Sequence, residues 1–487
     1  MSSNKKVLSG IGWAYGERIL AQAISLAVSV VLARLLDPEH YGIVAIVLVF
    51  INILNAFVTG GFGSALIQKK DADDLDFNTI CWFSIAFAFV LYVLLFLCAP
   101  FIAAFYRMEQ LTMITRVMGL RVIISAINSV QHAYVQRHMQ FKKFFFSTLG
   151  GTLVSGVVGV VMAFRGFGVW ALAAQYLTNC TIDTIVLSFT INWKPKLEWS
   201  FFRLKQMFGF GLKMLGATLV NTLQDNIRSL VVGKVFSAED LAFYNEGKKY
   251  PATLMNNLIG SIQKVLFPAF ADLQDNRDEI KNQMRKAIRV SSFVLVPVVV
   301  GIIAVADTFI VLLLTEKWAP AIPYLRILSL IYLTRTMNSI FQSSLLAIGE
   351  SGVNMFHEIV GSILSLSLIC IGAFVFKSVK FIAWSYIIVM LVGTAIFAYY
   401  VHKCFDYKYR EILSDYIPYI LISVCMGICV YLLGMIKINL TLLLLVQIVS
   451  GILLYYAFCR VFCIKELKLA ETVYQKTVNR LKNRRYK

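Results

Sequence analysis

Residues 78–106 read NTICWFSIAFAFVLYVLLFLCAPFIAAFY, without one acidic or basic side chain. A helix rises about 1.5 Å per residue, so about 20 apolar residues cross the hydrocarbon core of a bilayer. No water reaches backbone amides there, so the segment must satisfy them itself, as a helix. Working outward, about fourteen stretches of this kind fill the chain. They lie at 9–36, 41–67, 78–106, 111–136, 144–164, 167–191 and 208–235, then at 249–271, 287–314, 322–348, 353–376, 379–402, 412–435 and 439–463. The fold class is therefore an all-α integral membrane protein. Hydrophobic residues make up 59% and mean hydropathy is +0.73, above ordinary soluble usage. No polar stretch is long enough to form a separate water-soluble domain.

The net charge of +19 sits between the apolar spans. A nucleic-acid binder gathers its charge on a folded basic face, so no nucleic-acid partner is expected; a positive-inside bias and membrane-lipid headgroups account for the charge. With the N-terminus inside, the inner segments hold about 27 Lys and Arg and the outer ones about 10, which puts both termini in the cytoplasm. Inner markers include Lys69, Lys70, Arg137, Lys142, Lys143 and Arg203. Lys5 and Lys6 precede an apolar run too long for a signal peptide, read here as a retained first span. The nine cysteines are scattered. Cys425/Cys429 and Cys459/Cys463 have helical spacing but no further Cys or His nearby, so no metal site, disulfide framework or cofactor is expected, and the thiols read as small buried hydrophobes.

The chain repeats after about 200 residues. Gly10-Ile11-Gly12 recurs as Gly209-Phe210-Gly211, Arg34–Glu39 as Lys234–Glu239, and Asn128-Ser129 as Asn338-Ser339. An even number of spans separates the copies. This predicts two parallel six-helix lobes, related by a pseudo-two-fold axis along the membrane normal. The expected divisions are 1–200 for the first lobe, 201–405 for the second, 406–464 for two additional spans, and 465–487 for a basic cytoplasmic tail. Paired bundles suit alternating access better than enzyme chemistry, and no catalytic constellation is evident.

Polar side chains form stripes within the spans. At 100° per residue, Arg18, Gln22, Ser25 and Ser29 share a face of span one, with Glu17 apart. Lys213, Asn221, Gln224, Asp225 and Arg228 share one in span seven. Arg121, Ser125, Asn128 and His132 align in span four, and Arg335, Asn338 and Gln342 in span ten. Span two offers Asn52, Asn55 and Thr59, and span eight Asn256, Gln263 and Lys264. Ions at membrane depth cost several kcal/mol by most scales, so they should face a cavity or a partner. Some pairs, Glu17 with Arg18 and Asp225 with Arg228, also fit helix-packing ion pairs. Asp183 in span six is a candidate proton site. Basic residues outnumber acidic ones in the stripes, which favours an anionic substrate; Arg binds phosphate through its planar fork and Lys as a point charge.

Leu35–Gly42 reads LLDPEHYG, just after span one, and Thr59–Lys69 reads TGGFGSALIQK. In these motifs the chain resembles the Wzx-type polysaccharide flippases of the multidrug/oligosaccharidyl-lipid/polysaccharide exporter superfamily, in particular the colanic-acid and teichuronic-acid exporter branch. The resemblance implies about fourteen helices in two lobes in the bacterial cytoplasmic (inner) membrane. It implies turnover of an undecaprenyl-pyrophosphate-linked oligosaccharide between leaflets, for surface polysaccharides such as lipopolysaccharide, with polysaccharide polymerase machinery as a partner. It fixes no site residues.

From the stripes, a positively walled cavity between the lobes is expected, with Arg18, Lys213 and Arg228 at the pyrophosphate and Arg121, Arg335 and Lys264 in a second rank. Asn221 and Gln224 are expected to bond sugar. Glu17 and Asp225 would hold the cations or, like Asp183, couple an ion. A drug/cation antiporter, or a peptidoglycan-precursor flippase of the same superfamily, is the alternative; a membrane glycan polymerase fits the short outer loops less well.

Overall fold

The structure is a computed structural model and describes residues 20–436, 438–468 and 471–472. Glu17 and Arg18 lie outside these residues, as does most of the basic tail. Every regular element among the described residues is helical. Contacts divide the chain into two units, Met1–Ala242 and Phe243–Lys487.

Unit one contains α1 (Leu20–Leu35), α2 (Pro38–Thr59), α3 (Phe62–Gln68), α4 (Asp74–Tyr106), α5 (Leu111–Arg137), α6 (Phe141–Phe164), α7 (Val169–Thr190) and α8 (Phe201–Val235). The starts of these helices follow from local chemistry. Pro38 occupies the first turn of α2, where its missing N–H costs nothing. The Asp73 carboxylate accepts from Asp76 N at 3.0 Å and caps α4. Partial burial pushes the Asp73 carboxyl up, but that amide and the Arg203 guanidinium outweigh it and hold the group below its ordinary range.

Span two is not the single helix that its hydropathy predicts. It breaks at Gly60–Gly61 into α2 and α3. The break depends on a close approach: a Cβ on Gly61 would lie 2.1 Å from the Gly211 carbonyl oxygen on α8, and one on Gly60 would crowd Thr218 at 3.0 Å. At the other end of α2, a Cβ on Gly42 would lie 1.8 Å from the Ala238 carbonyl oxygen. Helix α8 therefore runs antiparallel along α2, close enough at both ends that only glycine fits. The repeat puts α8 at the head of the second copy, while its neighbours are α2, α3 and α4. The 191–200 connection is strapped to α4: Trp193 Nε1 and Lys196 N donate to Asn78 Oδ1 at 3.1 and 3.2 Å, and Ser200 N donates to Thr79 Oγ1 at 3.1 Å.

Helix α9 (Ala238–Ala271) starts in unit one and continues in unit two, where α10 (Arg277–Ala304), α11 (Ala306–Leu314), α12 (Ile322–Ala347), α13 (Ser351–Cys370), α14 (Val379–Phe405), α15 (Tyr409–Leu433) and α16 (Leu440–Val461) follow. Span nine, expected as one helix, is interrupted at Val305 between α10 and α11. Inside unit one, α5 packs on α4 and α7, and α6 on α7; inside unit two, α12 packs on α10 and α14, and α13 on α14. The same neighbour pattern thus recurs at the repeat offset. The turn also recurs. Each copy leaves its first helix at 36–37 or 236–237 and re-enters at 38 or 238. In the second copy, Ser237 Oγ accepts from Asp240 N at 3.0 Å.

Unit two is fastened by an ion cluster that hydropathy did not reveal. Asp415 on α15 is 1% exposed. It accepts from Arg285 Nε at 2.7 Å, Arg289 Nε at 2.7 Å and the Tyr407 hydroxyl at 2.8 Å. Burial, and then the bond to Asp415, push the Tyr407 phenol up. The Cys reading needs correcting in part. Cys81 and Cys459 are buried, but Cys98, Cys370, Cys425 and Cys463 are exposed on the protein surface. Arg326 on α12 pairs with Asp307 on α11.

Nine helical segments among the described residues are long and apolar enough to cross a membrane by length and composition. The remaining long helices, α7, α8, α9 and α12, carry Asp183, the Lys213–Arg228 stripe, Lys264 and Arg335. Their hydropathy is lowered by those polar faces.

Candidate functional site

The polar stripe of span four lies on α5 and faces α7. Arg121 sits over the Tyr176 ring, 5.6 Å from its centroid. Ser125 Oγ is 3.6 Å from Cys180 Sγ. Asn128 Nδ2 donates to Asp183 Oδ2 at 2.8 Å, and His132 Nε2 lies 3.0 Å from the same oxygen. Gln131 Nε2 donates to Ser188 Oγ at 2.7 Å. These contacts climb both helices at i, i+4 and i+7 spacing, as two packed helices require. An ionised carboxylate only accepts, so with Asp183 charged the His132 Nε2 carries a hydrogen. The Asp183 side chain is 14% exposed. Its partners satisfy one oxygen, which a charge at that depth needs.

Beside this seam lies a cavity of about 330 Å³. Helix α2 supplies Asn55 and Thr59 to its wall; α3 supplies Gly63, Ser64 and Ile67; α5 supplies Ser125, Asn128, Ser129, His132, Ala133 and Gln136. The lining is mostly amides and hydroxyls. The Asn55 Oδ1 atom is buried and has no hydrogen-bond partner. Thr59 Oγ1 donates to Asn55 O at 2.8 Å, leaving its lone pairs for another donor. Among the described residues no Lys or Arg side chain lines the cavity.

The α3 wall is held at both ends. Gly61 abuts Gly211, as described. At its C-terminal end the Arg137 guanidinium donates to the carbonyls of Leu66 (2.9 Å), Ile67 (3.3 Å), Lys69 and Lys70 (2.6 Å). Leu66 and Ile67 are among the carbonyls that a helix end leaves without intrahelical partners, and Lys69 and Lys70 lie just past that end. Arg137, read in the sequence only as an inner-end marker, is in fact the clamp of the pocket wall. At the same end Lys69 Nζ lies 2.6 Å from Asp76.

The structure brings Asp183 together with Asn128 and His132. Other expected site residues are placed apart from this group. On α8, Arg228 is buried at 7% exposure, Gln224 is half-buried, and Lys213, Asn221 and Asp225 are exposed on the protein surface. In unit two, Lys264 on α9 and Arg335 on α12 are exposed, with Arg335 over the Tyr332 ring at 5.8 Å. Sequence reasoning missed Ser64, Ser129 and Gln136. Ser129 and Gln136 were legible as one turn from Ser125 and His132, but Ser64 comes into reach only through the α2–α3 break.

The two copies differ here. The offset of 210 that relates Asn128 to Asn338 carries Asp183 to Gly393. His357 fills the space, its Nε2 2.5 Å from where a Cβ on Gly393 would stand, and stacks on Phe397 at 4.3 Å. Gln342 Nε2 donates to Asn354 Oδ1 at 2.7 Å. The acid-centred seam therefore belongs to unit one.

A sequence family described as polysaccharide biosynthesis protein matches residues 31–323. The lipopolysaccharide biosynthesis protein WzxC of Escherichia coli (strain K12) is 25% identical over 430 residues, covering 86% of each chain. The teichuronic acid biosynthesis protein TuaB of Bacillus subtilis is 27% identical over 382 residues, covering 76% of this chain and 77% of that one. The succinoglycan biosynthesis transport protein ExoT of Rhizobium meliloti is 23% identical over 391 residues, 80% of this chain and 79% of that one. Among solved structures, the lipid II flippase MurJ in an inward closed conformation superposes with a TM-score of 0.71 at 15% identity, covering 92% of this chain and 98% of that one. An inward-facing multidrug resistance transporter of the MATE family gives 0.64 at 16% identity, covering 79% and 94%. These two show a shared fold.

Proposed function

The chain belongs to the polysaccharide biosynthesis protein family, and from that membership we propose that it is a flippase, moving an undecaprenyl-pyrophosphate-linked oligosaccharide across the bacterial cytoplasmic membrane for surface polysaccharide synthesis. One observation carries the reading beyond the family: a cavity walled by amides and hydroxyls among helices long enough to cross a membrane. A scaffold gains nothing from such a wall, because polar groups at membrane depth are costly unless they serve a polar cargo. A glycan is a polar cargo.

The chain works by alternating access, with about fourteen spans arranged as two six-helix lobes about a pseudo-two-fold axis, plus two C-terminal spans. Both termini face the cytoplasm, and the polymerising machinery receives the product. Arg228 and Lys213, with Arg18, bind the pyrophosphate, and Arg121, Arg335 and Lys264 form the second rank. Asn221 and Gln224 bond sugar. Glu17 and Asp225 hold the cations in place, and Asp183 with His132 couples an ion. No catalytic step is involved.

The test is an Arg228→Ala substitution in the native cell. It abolishes surface polysaccharide while the amount of protein in the membrane stays unchanged. Normal surface polysaccharide in that variant sinks the pyrophosphate assignment. Failure of the purified, unaltered protein to move lipid-linked oligosaccharide between leaflets of proteoliposomes sinks the transport reading itself.

A further inference from the structure

We propose that the unit-one cavity is a subsite for one uncharged sugar ring of the cargo, placed apart from the residues that bind its phosphates; the proposal rests on the flippase reading. Four features of the wall select this ligand. The volume of about 330 Å³ stands at the small end of ligand pockets and suits a single ring. Among the described residues no Lys or Arg lines it, and Arg121 of α5 is turned onto Tyr176, so these walls offer a phosphate no fork or ammonium. The nearby carboxylate, Asp183, is not among the residues that line the cavity and turns one oxygen to Asn128 and His132, so the described walls present no carboxylate to a bare cation. An apolar ligand would strand the amides and hydroxyls without partners.

A hydroxylated ring meets them instead. Asn and Gln side chains both donate and accept, and Ser and Thr hydroxyls rotate to do either, which is what adjacent ring hydroxyls or an acetamido group require. Asn55 offers a buried oxygen that has no hydrogen-bond partner. A sugar hydroxyl supplies the missing donor. Gln136, exposed at the mouth on the last turn of α5, supplies a second amide. The α3 wall, clamped by Arg137 and wedged against Gly211, holds the pocket in shape, and a rigid polar pocket discriminates strongly between ligands that fill its hydrogen bonds and those that do not. The offset position in unit two carries Gly393 and His357 in place of the acid-centred seam, so the subsite belongs to one copy.

The experiment titrates the detergent-solubilised full chain with two probes, read by native mass spectrometry: lipid-linked oligosaccharide extracted from the native cells, and sugar-free undecaprenyl pyrophosphate. Asn55→Ala and, independently, Gln136→Ala lower affinity for the glycosylated lipid by about tenfold and leave affinity for the sugar-free lipid unchanged. Gln136 is exposed, so its variant tests the subsite even if Asn55→Ala fails to fold. Equal loss for both lipids overturns the proposal, since the residues then serve the phosphate or the fold. No loss for either also overturns it, since the cavity then holds water only. If the unaltered protein prefers the glycosylated lipid through these residues yet moves nothing between leaflets, the subsite stands and the transport reading falls.

Discussion

Replacing Asp183 with Asn separates the two roles that its position allows. The carboxylate accepts from Asn128 Nδ2 at 2.8 Å and faces His132 Nε2 at 3.0 Å, both through one oxygen. The amide keeps that geometry and removes the charge. Hydrogen bonds to a charged group contribute about 1.5–3 kcal/mol and neutral ones about 0.5–1.5, so the change weakens each contact by about 1 kcal/mol. Burying a neutral amide in place of a carboxylate returns part of that loss, and polar contacts within membranes average about 0.6 kcal/mol by double-mutant cycles. The expected net destabilisation is therefore about 1 kcal/mol, a fall in melting temperature of about 2–4 °C for a unit of this size. Asp183→Ala removes the acceptor altogether and leaves two half-buried donors unmatched, with an expected cost of about 1–3 kcal/mol. The assay is thermal unfolding of the purified chain in detergent, paired with translocation in proteoliposomes with and without an imposed proton gradient. If Asp183 couples a proton, the Asn variant keeps its fold and loses the response to the gradient. Identical melting of wild type, Asn and Ala forms refutes the hydrogen-bonded seam. A full gradient response in the Asn form refutes the coupling role.

Three further substitutions probe the scaffold. Arg137→Met strips four carbonyls of their donor; we expect about 2–3 kcal/mol of lost stability and proteolytic cutting in the 60–70 segment that the native protein resists, measured by limited proteolysis in detergent. Gly61→Val forces a side chain into the 2.1 Å gap before Gly211 O, and overpacking of this kind costs about 1–3 kcal/mol or more, read as a lowered melting temperature. Asp415→Ala leaves Arg285 and Arg289 without their shared acid. Removing one partner of a buried pair costs about 3–5 kcal/mol, and since the two arginine side chains are 28% and 35% exposed, the low end of that range is expected in the same melting assay.

Much of this architecture was legible because hydropathy and helical spacing are local. Outside spans one, two and nine, each expected span lies largely on one helix among the described residues, and the alignment of Arg121, Ser125, Asn128 and His132 was readable from residue spacing alone. Asp183 stood out as a lone acid in an apolar span. Its partners were not readable, because pairing α5 with α7 depends on how two segments about fifty residues apart pack. The break between α2 and α3 was hidden for the same reason: Gly60–Gly61 follows from the proximity of Gly211, about 150 residues away. Arg137 was counted as an orientation marker, since charge alone does not say which carbonyls a guanidinium will meet. The Asp415 cluster carried a signal that was passed over: an acid in an apolar span, with two arginines at i, i+4 on another.

The two matching stretches of sequence share a framework, and they differ at the seam. Both copies inherit a polar fourth helix, α5 or α12, packed on the helix two places later, α7 or α14, and both therefore carry amides at the same depth, Asn128 and Asn338. What the amide meets differs. In unit one it meets an acid that also engages His132, and a broken second helix opens the space in front of it. In unit two the offset position is Gly393, whose missing side chain lets the His357 ring in to stack on Phe397, and α9 runs from Ala238 to Ala271 as one helix. Related helix pairs can diverge where one side chain is exchanged and a neighbour takes up the volume, as the His357 ring does beside Gly393. A chain carrying both His357→Ala and Gly393→Asp would restore the acid to the second copy. If the shared scaffold is all that a seam of this kind needs, that chain folds and a structure of it shows the introduced carboxylate bonded to Asn338; if it fails to fold, or the carboxylate turns away, the α2–α3 break is a necessary part of the site.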